Sequence, residues 1–437
     1  MKSINLCFEV HQPFRLRDYK FFKIGSHEEY FDDFLNSSII KKVANKCYLP
    51  ANKILLEQIK RFKGKFKVAF AISGSAIEQF ELFAPEVLES FKELANTGCV
   101  EFIAETHSHN LASLSSKKEF EKEVKNHIKK YERHFDYTPK VFRNTELIYS
   151  NEIGKMVYDL GFKTILTEGA DNILSYKSPN YVYSNPSAKG QKILMRNYKL
   201  SDDISFRFSN RDWSCWPLTS EKYKQWIENI PKEEKFVNIF MDYETFGEHQ
   251  RKESGIFDFL AVLPKVFLFD PNFEFVTPSE IAQKNKPVED INVFYPISWV
   301  DEERDLTAWL GNALQKSAFE LLYKLSDSVN KLDDYEISRE FSYLQSSDHF
   351  YYMNTKIYSD GKNHNSFNPY DSPYTAYINY MNVLNDFIIK IGYQENKNAT
   401  IIDLTDTIKQ QEQLISVLEK DIYLLKRRSK QNQKKGK

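Results

Sequence analysis

Two carboxylates, Asp242 and Glu244, follow directly on a nearly continuous apolar stretch, residues 236–241. This stretch predicts a strand buried on both faces, as strands of parallel sheets are. Because ligands of parallel α/β proteins bind at the carboxyl ends of the strands, both acids are candidate site residues. A third carboxylate, Glu146, ends another predicted strand. Two carboxylates about 5 Å apart can cleave a glycosidic bond with retention, one as nucleophile and one as general acid and base.

Apolar runs of strand length alternate with helical patterns as far as Pro287, which predicts βαβ units and a parallel sheet. Polar residues recur at the same end of successive strands, which favours a barrel that gathers them into one cavity. The predicted strands are 4–10, 66–72, one within 98–109, 139–148, 162–167, 192–208, 236–241 and 273–277. The predicted helices of this part are 50–62, 76–96, 117–135 and 151–160.

The pattern becomes helical after Pro287, with predicted helices at 299–325, 335–355 and 374–391. We therefore predict a catalytic barrel over residues 1–288 and an all-helical domain over 289–395. Residues 396–437 form a third segment, in which apolar residues at 401–425 recur in steps of three and four, followed by a basic tail. This heptad pattern predicts a coiled-coil-like helix and self-association into a homo-oligomer.

Composition limits the classes of partner. The 437 residues include 60 Lys and Arg against 61 Asp and Glu, so the charge balance favours a neutral ligand over nucleic acid. Four cysteines without paired spacing predict reduced thiols and a cytoplasmic protein. No apolar run approaches the roughly 20 residues of a membrane span, so we expect no membrane partner.

Five short motifs recur at the ends of predicted elements. They are His11-Gln-Pro13, Gly98-Cys-Val-Glu101, Phe142-Arg-Asn-Thr-Glu146, Met241-Asp-Tyr-Glu-Thr-Phe-Gly247 and Asp305-Leu-Thr-Ala-Trp-Leu-Gly-Asn312. In this order they resemble the five motifs of glycoside hydrolase family 57, over roughly residues 4–320. Their residues are most similar to those of the α-amylase branch. The segment Ser347-Asp-His-Phe-Tyr-Tyr-Met353 also resembles that branch. Where many members place Trp and Pro before the nucleophile, this chain has Asn144 and Thr145.

The resemblance implies a distorted (β/α)7 TIM-like barrel whose mouth is covered by the helical domain. It further implies hydrolysis of α-1,4-glucosidic bonds in starch, glycogen or maltodextrin through a covalent glycosyl-enzyme. Glu146 would be the nucleophile and Asp242 the acid and base, and the family's chemistry needs no metal or other cofactor.

Ten further residues are candidates for binding the glucan. Arg143 could keep Glu146 ionised by its opposite charge. The rings of Trp213 and Trp216 could stack on sugar faces. Asp305 and Trp309, four residues apart in the predicted second domain, could share one helical face. The candidates are His11, Gln12, Glu101, His109, Arg143, Trp213, Trp216, Glu244, Asp305 and Trp309.

Three alternatives stay open at this point. The same two carboxylates would serve a 4-α-glucanotransferase if a sugar hydroxyl replaced water. A metal-dependent polysaccharide deacetylase would use His11, His107 and His109 with Asp242 as ligands. A non-catalytic glucan-binding assembly protein would use the terminal heptads to associate.

Overall fold

The computed structural model describes residues 1–356 and 368–393. Residues Met1–Phe387 form one compact unit, and Ile388 begins a second. The described part is an α/β structure with parallel strands and many helices, which confirms the predicted class. The heptad pattern at 401–425 and the basic tail lie outside the described residues, so self-association through them stays a prediction.

The strands of the described part form two sheets. The first has the order β3, β2, β1, β8, with β9 paired to the start of β1, and the second has the order β4, β5, β7, β6. Paired strands are parallel except β6 and β7, which are antiparallel. The strands are β1 Lys2–Val10, β2 Val68–Ile72, β3 Val100–Phe102, β4 Val141–Arg143, β5 Thr164–Glu168, β6 Val182–Ser184, β7 Lys192–Arg196, β8 Phe236–Asp242 and β9 Phe273–Phe275.

Strand β1 is central in the first sheet and is covered on both faces. Its side chains alternate: Leu6 and Phe8 belong to an outer core shared with the surrounding helices, whereas Cys7 belongs to an inner core shared by the two sheets. Because successive side chains of a strand point to opposite faces, Glu9 shares the inner face with Cys7. A charged group therefore points inward at the carboxyl end of the central strand.

Other strands repeat this arrangement. On β8, Ile239 and Met241 belong to the outer core and Phe240 to the inner core, so Asp242 points inward. In β4, β5 and β7 the residue two positions before the charged last residue also belongs to the inner core, so the charged side chain points inward there too. We call these five inward-pointing residues the strand-end charges: Glu9, Arg143, Glu168, Arg196 and Asp242.

The two sheets meet along two edges without forming one continuous ladder. Between β3 and β4 there is an isolated bridge that pairs Ala104 with Phe142. Between β7 and β8 the backbone N–H of Asn197 donates to the carbonyl of Asn238 at 2.8 Å. Strands β3 and β4 each span only three residues, which is too short for longer pairing. The predicted distorted barrel is therefore not closed by a continuous backbone ladder, and two sheets enclose the inner core.

Helices surround the sheets and make up most of the described residues beyond Pro287. They are α1 Asp33–Val43, α2 Leu49–Arg61, α3 Gly74–Phe83, α4 Pro85–Ala95, α5 Lys117–Phe135, α6 Asn151–Asp159, α7 Asp171–Leu174, α8 Tyr198–Ser205, α9 Ser220–Glu228, α10 Ile256–Leu268, α11 Pro278–Lys284, α12 Thr307–Leu310, α13 Ala313–Lys324, α14 Ser326–Leu332, α15 Tyr335–Leu344, α16 Ser347–Tyr351 and α17 Pro373–Lys390. A π-helical turn, Ala44–Tyr48, joins α1 to α2.

Local sequence explains where the elements differ from their predicted bounds. The helix predicted at 76–96 is two helices, because Pro85 has no N–H to continue α3 and instead begins α4. The strand predicted at 192–208 ends at Arg196, after which the Asn197 side chain accepts from Leu200 N at 3.2 Å and caps α8. The short antiparallel strand β6 was not predicted.

The region after Pro287 is helical as predicted, but its first helix starts late. Residues 299–306 are irregular, and α12 begins only at Thr307. Helices α15 and α16 cover most of the helix predicted at 335–355. The division into domains at residue 288 stays a prediction.

None of the described helices has the length and apolar character that crossing a membrane would require.

A tight turn after β8 brings two backbone segments together. Gly247 has a φ of +114°, and a Cβ added there would lie 2.0 Å from the carbonyl oxygen of Lys46 in the π-helical turn. Gly25 also has positive φ, +91°, but a Cβ there would meet nothing within 4 Å. Substituting each of the two glycines therefore distinguishes the free-energy cost of a side chain at positive φ from the added cost of a backbone clash.

We predict that Gly247→Ala lowers the free energy of unfolding by about 3 kcal/mol or more, because the left-handed conformation and the backbone clash add together. The matched control Gly25→Ala should cost only about 1–2 kcal/mol, since it carries the conformational term alone. Urea unfolding of both variants measures the difference. Equal losses of stability would contradict the clash.

Candidate active site

A cavity of about 100 Å³ lies at the carboxyl ends of the strands. It brings together six of the residues that the sequence predicted: His11, Gln12, His109, Glu146, Asp242 and Glu244. Its remaining lining comprises Glu9, Pro13, Arg15, His249, Trp299, Asp348 and Tyr352.

Glu146 lies in a short turn, Thr145–Leu147, three residues after β4 ends. Its φ of 56° and the φ of 52° at Leu147 are both in the left-handed region. Such a conformation is costly for residues other than glycine and is concentrated at functional sites. Leu147 is buried in the inner core, while the carboxylate of Glu146 reaches the cavity.

Three side chains approach the Glu146 carboxylate. The indole N–H of Trp299 donates to Oε2 at 2.7 Å, and the hydroxyl of Ser347 donates to Oε1 at 3.3 Å. The Nε2 atom of His109 lies 3.4 Å from Oε1. Burial raises the pKa of the Glu146 carboxyl, but the hydrogen bond and charge of His109 and the bond from Trp299 outweigh burial. The net pKa lies below the ordinary value, so the carboxylate is held ionised.

Asp242 ends β8 directly opposite Glu9 of β1. It is partly exposed, lines the cavity and precedes the turn Tyr243–Thr245. Asp242 and Glu146 therefore come from different sheets and share one cavity. An ionised carboxylate and a second, more accessible carboxyl group are what acid-assisted nucleophilic displacement requires.

His109 connects three acids. Its Nδ1 atom lies 2.9 Å from Oε2 of Glu105, and its Nε2 atom lies 3.3 Å from Oε1 of Glu9 and within reach of Glu146. Burial lowers the pKa of His109, but the surrounding carboxylates outweigh burial and raise the pKa to about 10. His109 is thus an imidazolium at neutral pH and faces Glu146 with a positive charge.

Arg143 is completely buried behind the cavity. Its guanidinium donates to Glu105 at 3.1 Å and also to Glu9, so it bridges the first sheet to the second. Burial keeps the pKa of Glu9 well above its ordinary value, whereas the His109 hydrogen bond and the Arg143 charge lower the pKa of Glu105 to about 2 despite burial. Arg143 supports Glu146 by its charge, as expected, but the contact is indirect and His109 is the stronger influence.

Of the three histidines considered as metal ligands, His11 and His109 line the cavity and His107 does not. His107 points to Glu78, with Nε2 3.2 Å from its carboxylate. His11 is engaged by Ser73 at 2.7 Å and Asp348 at 2.9 Å. Among the described residues, Glu9, Glu105 and His109 form a group of possible ligands whose donor atoms lie within 4.8 Å of one another.

That group already has a cation beside it. The guanidinium of Arg143 donates to the carboxylates of both Glu9 and Glu105, and it lies 3.4 Å from Nδ1 of His109. The planar, forked guanidinium thus reaches both acids with separate nitrogen atoms. The donor set fits an arginine, and it does not fit a metal ion without displacement of that side chain.

Glu244 is buried beside Asp242. Its carboxyl oxygen accepts from the Tyr48 hydroxyl and from Gln12 at 3.4 Å. Burial, followed by the negative charge of Asp242, raises the pKa of Glu244 to about 8. Glu244 is therefore protonated at neutral pH, and its environment differs from that of Glu146.

Helix α16 supplies two of the contacts. Ser347 reaches Glu146, and the next residue, Asp348, reaches His11. The His11 ring stacks on His109 with centroids 4.0 Å apart. Residues 347–353, which include α16, were singled out in the sequence only because they resemble the α-amylase branch. These contacts now place the segment at the site.

Two predicted carboxylates, Glu101 and Asp305, lie outside the cavity lining because other contacts hold them. Glu101 points inward at the opposite end of its strand, where it accepts from Ser279 N at 2.9 Å at the start of α11. Asp305 precedes α12 and accepts from Thr307 N at 2.8 Å. The expectation that Asp305 and Trp309 share one helical face is therefore wrong, since α12 begins at Thr307.

The predicted aromatic platforms also lie elsewhere. Trp309 is fully buried, and Trp213 packs against the outer core and against Trp226, with ring centroids 5.8 Å apart. Trp216 is 42% exposed, with the Arg211 guanidinium over its ring. None of these indoles lines the cavity, and the indole that does, Trp299, was not predicted.

A signal for some of the unpredicted residues was available in the strands. Glu9 occupies an inward-pointing position near the end of its strand, so counting alternate residues from the apolar core identifies it. Trp299 and Asp348 lie in irregular or short helical segments far along the chain, and their place depends on tertiary packing.

Comparison with known proteins shows the family of this chain. The model of Glycosyl hydrolase family 57 matches residues 5–293. A Methanocaldococcus jannaschii protein named "Putative alpha-amylase" is 47% identical over 400 residues, which are 88% of this chain and 84% of that protein. The resemblance noted in the sequence is therefore confirmed.

Solved structures share the fold at low identity. A branching enzyme of this family from Thermococcus kodakaraensis has a TM-score of 0.65 and 12% identity, over 91% of this chain and 92% of that one. A 4-alpha-glucanotransferase from Thermococcus litoralis has a TM-score of 0.59 and 17% identity, over 80% of this chain, which spans only 56% of that chain. On the match of the family model and the identity to the relative, this chain belongs to glycosyl hydrolase family 57.

Proposed function

We propose that this protein is a retaining α-glucan hydrolase of α-amylase type that cleaves α-1,4-glucosidic bonds in starch, glycogen or maltodextrin. The observation that carries the proposal is the pair Glu146 and Asp242 in one cavity, with Glu146 ionised by its surroundings. The name of the 47% identical relative supports the choice of glucan substrate.

Each carboxyl group has one role in each half of the reaction. Asp242 gives its proton to the glycosidic oxygen as the bond to the anomeric carbon breaks, and a Glu146 oxygen forms the ester of the glycosyl-enzyme. Water then attacks the anomeric carbon, its proton returns to Asp242, and the ester bond to Glu146 breaks. Two inversions at one carbon retain its configuration.

The remaining polar residues of the cavity would bind sugar hydroxyls. His11 and Gln12 follow the end of β1, and protonated Glu244 can donate where Glu146 cannot. Stacking of His11 on the charged His109 holds its ring orientation, with centroids 4.0 Å apart. These residues contact the cavity from the carboxyl edge of the first sheet, while α16 and Trp299 contact it from the later part of the chain.

We also propose a cytoplasmic location. All four cysteines are free thiols, and Cys7, Cys47 and Cys99 are buried. Unpaired, buried thiols in a protein of this size fit a reducing compartment.

Incubation with maltoheptaose tests the function. We predict that the parent protein releases shorter maltooligosaccharides with the α-anomer formed first, and that Glu146→Gln and Asp242→Asn each lower kcat by about 10³-fold or more. Chromatography and early proton NMR of the products measure both results. The exposed carboxylate variant Glu253→Gln is the matched control and should keep parental activity.

The products decide between hydrolysis and transfer. Longer oligosaccharides formed as fast as shorter ones would contradict a hydrolase and indicate a 4-α-glucanotransferase that uses the same two carboxylates. Parental activity in both carboxylate variants would contradict the mechanism itself.

We predict that His109→Gln moves the acidic limb of the pH–activity profile to higher pH. His109 is charged below its pKa of about 10 and lowers the pKa of Glu146, so removing that charge raises the pKa of Glu146. A smaller fraction of Glu146 is then ionised at any given acidic pH. The control is His134→Gln on α5, outside the cavity, which should keep the parental pH profile. An acidic limb of His109→Gln at the same pH as that of the parent protein would contradict the effect of His109 on Glu146.

We predict that dialysis against a chelator leaves activity unchanged. Arg143 donates to the two acids that a metal would need, so the site's positive charge is part of the chain. Activity on maltodextrin before and after dialysis, with metal analysis of the protein, measures this. Loss on chelation with recovery on adding a divalent ion would favour the metal-dependent alternative.

A further inference from the structure

Trp299 contacts the candidate nucleophile more closely than any other donor does. Its indole N–H lies 2.7 Å from Oε2 of Glu146, whereas Ser347 and His109 lie 3.3 and 3.4 Å from Oε1. The two carboxylate oxygens are thus held unequally. Oε2 is fixed by a short bond, and Oε1 has longer contacts that a reacting atom could replace.

The indole ring is enclosed on several sides. It stacks on Phe240 of β8 with centroids 5.5 Å apart and an interplanar angle of 30°. The guanidinium groups of Arg143 and Arg196 lie 5.7 and 5.4 Å from its centroid. Two cations over an aromatic ring attract its electron-rich face and restrict its rotation.

The segment that includes Trp299 is attached to the turn of Glu146. Tyr149 and Ile297 exchange backbone hydrogen bonds of 3.0 and 2.9 Å. The backbone N–H of Trp299 donates to the carbonyl of Glu146 at 3.3 Å. The same two residues therefore meet through both backbone and side chain.

Arg304 holds this segment from the other side. Its guanidinium donates to the carbonyl of Trp299 and forms ion pairs with Glu168 at 3.6 Å and Asp202 at 3.4 Å. Arg196 donates to Glu168 at 2.9 Å and also to Asp202. The irregular residues before α12 are in this way fixed to strand-end charges of the second sheet.

We propose that Trp299 is a positioning residue for Glu146, and that Arg304 keeps it in place through Glu168 and Asp202. Trp299 stabilises the ionised carboxylate and fixes Oε2, which leaves Oε1 as the oxygen that attacks the anomeric carbon. When the ester forms, Oε2 becomes its carbonyl oxygen and keeps the indole bond. This inference rests on the proposed function, because it takes Glu146 as the nucleophile.

The first test uses Trp299→Phe, which keeps an aromatic ring and removes the N–H. Loss of a hydrogen bond to a charged group should lower kcat/KM about 10- to 100-fold, mainly through kcat. The midpoint of the acidic limb should rise by about 1 pH unit, because the pKa of Glu146 rises. The matched control is Trp226→Phe, a partly buried indole on α9 outside the cavity.

An unmoved acidic limb in Trp299→Phe would overturn the proposal even if activity fell, since loss of packing alone would produce that result. Equal effects in Trp226→Phe would also overturn it.

The second test does not depend on activity. The protein contains five Trp, and Trp299→Phe identifies the indole N–H resonance of Trp299 by its disappearance. Glu146→Gln should move that resonance and leave the resonance of Trp226 in place. A Trp299 resonance that does not respond to Glu146→Gln overturns the proposal. If the parent protein fails to cleave maltodextrin, the proposed function fails, while this spectrum still reports the contact.

Arg304→Gln tests the attachment. We expect the Trp299 resonance to broaden or shift and kcat/KM to fall about 10-fold, because the ion pairs with Glu168 and Asp202 are lost. Arg207→Gln, which removes an exposed ion pair with Asp203, is the matched control and should match the parent protein. A parental spectrum and parental kinetics in Arg304→Gln would overturn the role of Arg304.

Discussion

A buried arginine between two buried glutamates is the interaction on which the rest of the site depends. Arg143 extends from the second sheet and donates to Glu9 of the first sheet and to Glu105 beyond β3. Removing one partner of a buried pair leaves an uncompensated charge and costs about 3–5 kcal/mol. Glu9 and Glu105 also contact His109. By holding these two acids in place, Arg143 therefore helps to orient the imidazolium that faces Glu146.

The second sheet contains a similar cluster in which Arg196 lies between Glu168 and Asp202. Both arginines lie over the ring of Trp299, so the indole contacts the two clusters at once. Short strands leave the ladder between the sheets incomplete, and charge pairs together with the inner core connect the sheets where backbone pairing does not. The charges at the strand ends therefore connect the two sheets and also act on the electrostatics of the candidate site.

Much of this could be predicted from local pattern. Asp242 and Glu146 follow apolar strands at the carboxyl edge, and alternation with helical segments predicts the α/β class. Glu101 was misplaced because a motif does not state at which end of the sheet a side chain points, and the acid caps α11 instead. Trp309 was expected to lie over the cavity on the same helical face as Asp305, but its indole is fully buried and Asp305 precedes the helix. Trp299 was missed because its irregular segment is positioned by ion pairs distant in sequence.

The left-handed backbone at Glu146 has a consequence for how this protein can change over evolution. A left-handed residue other than glycine costs about 1–2 kcal/mol, and here the cost is met once, when the chain folds. In the proposed reaction, the carboxylate is thereby presented to the cavity without rearrangement in each turnover. Substitutions that relieve this backbone should make the protein more stable and less active, so selection for thermal stability and selection for turnover oppose each other at this position.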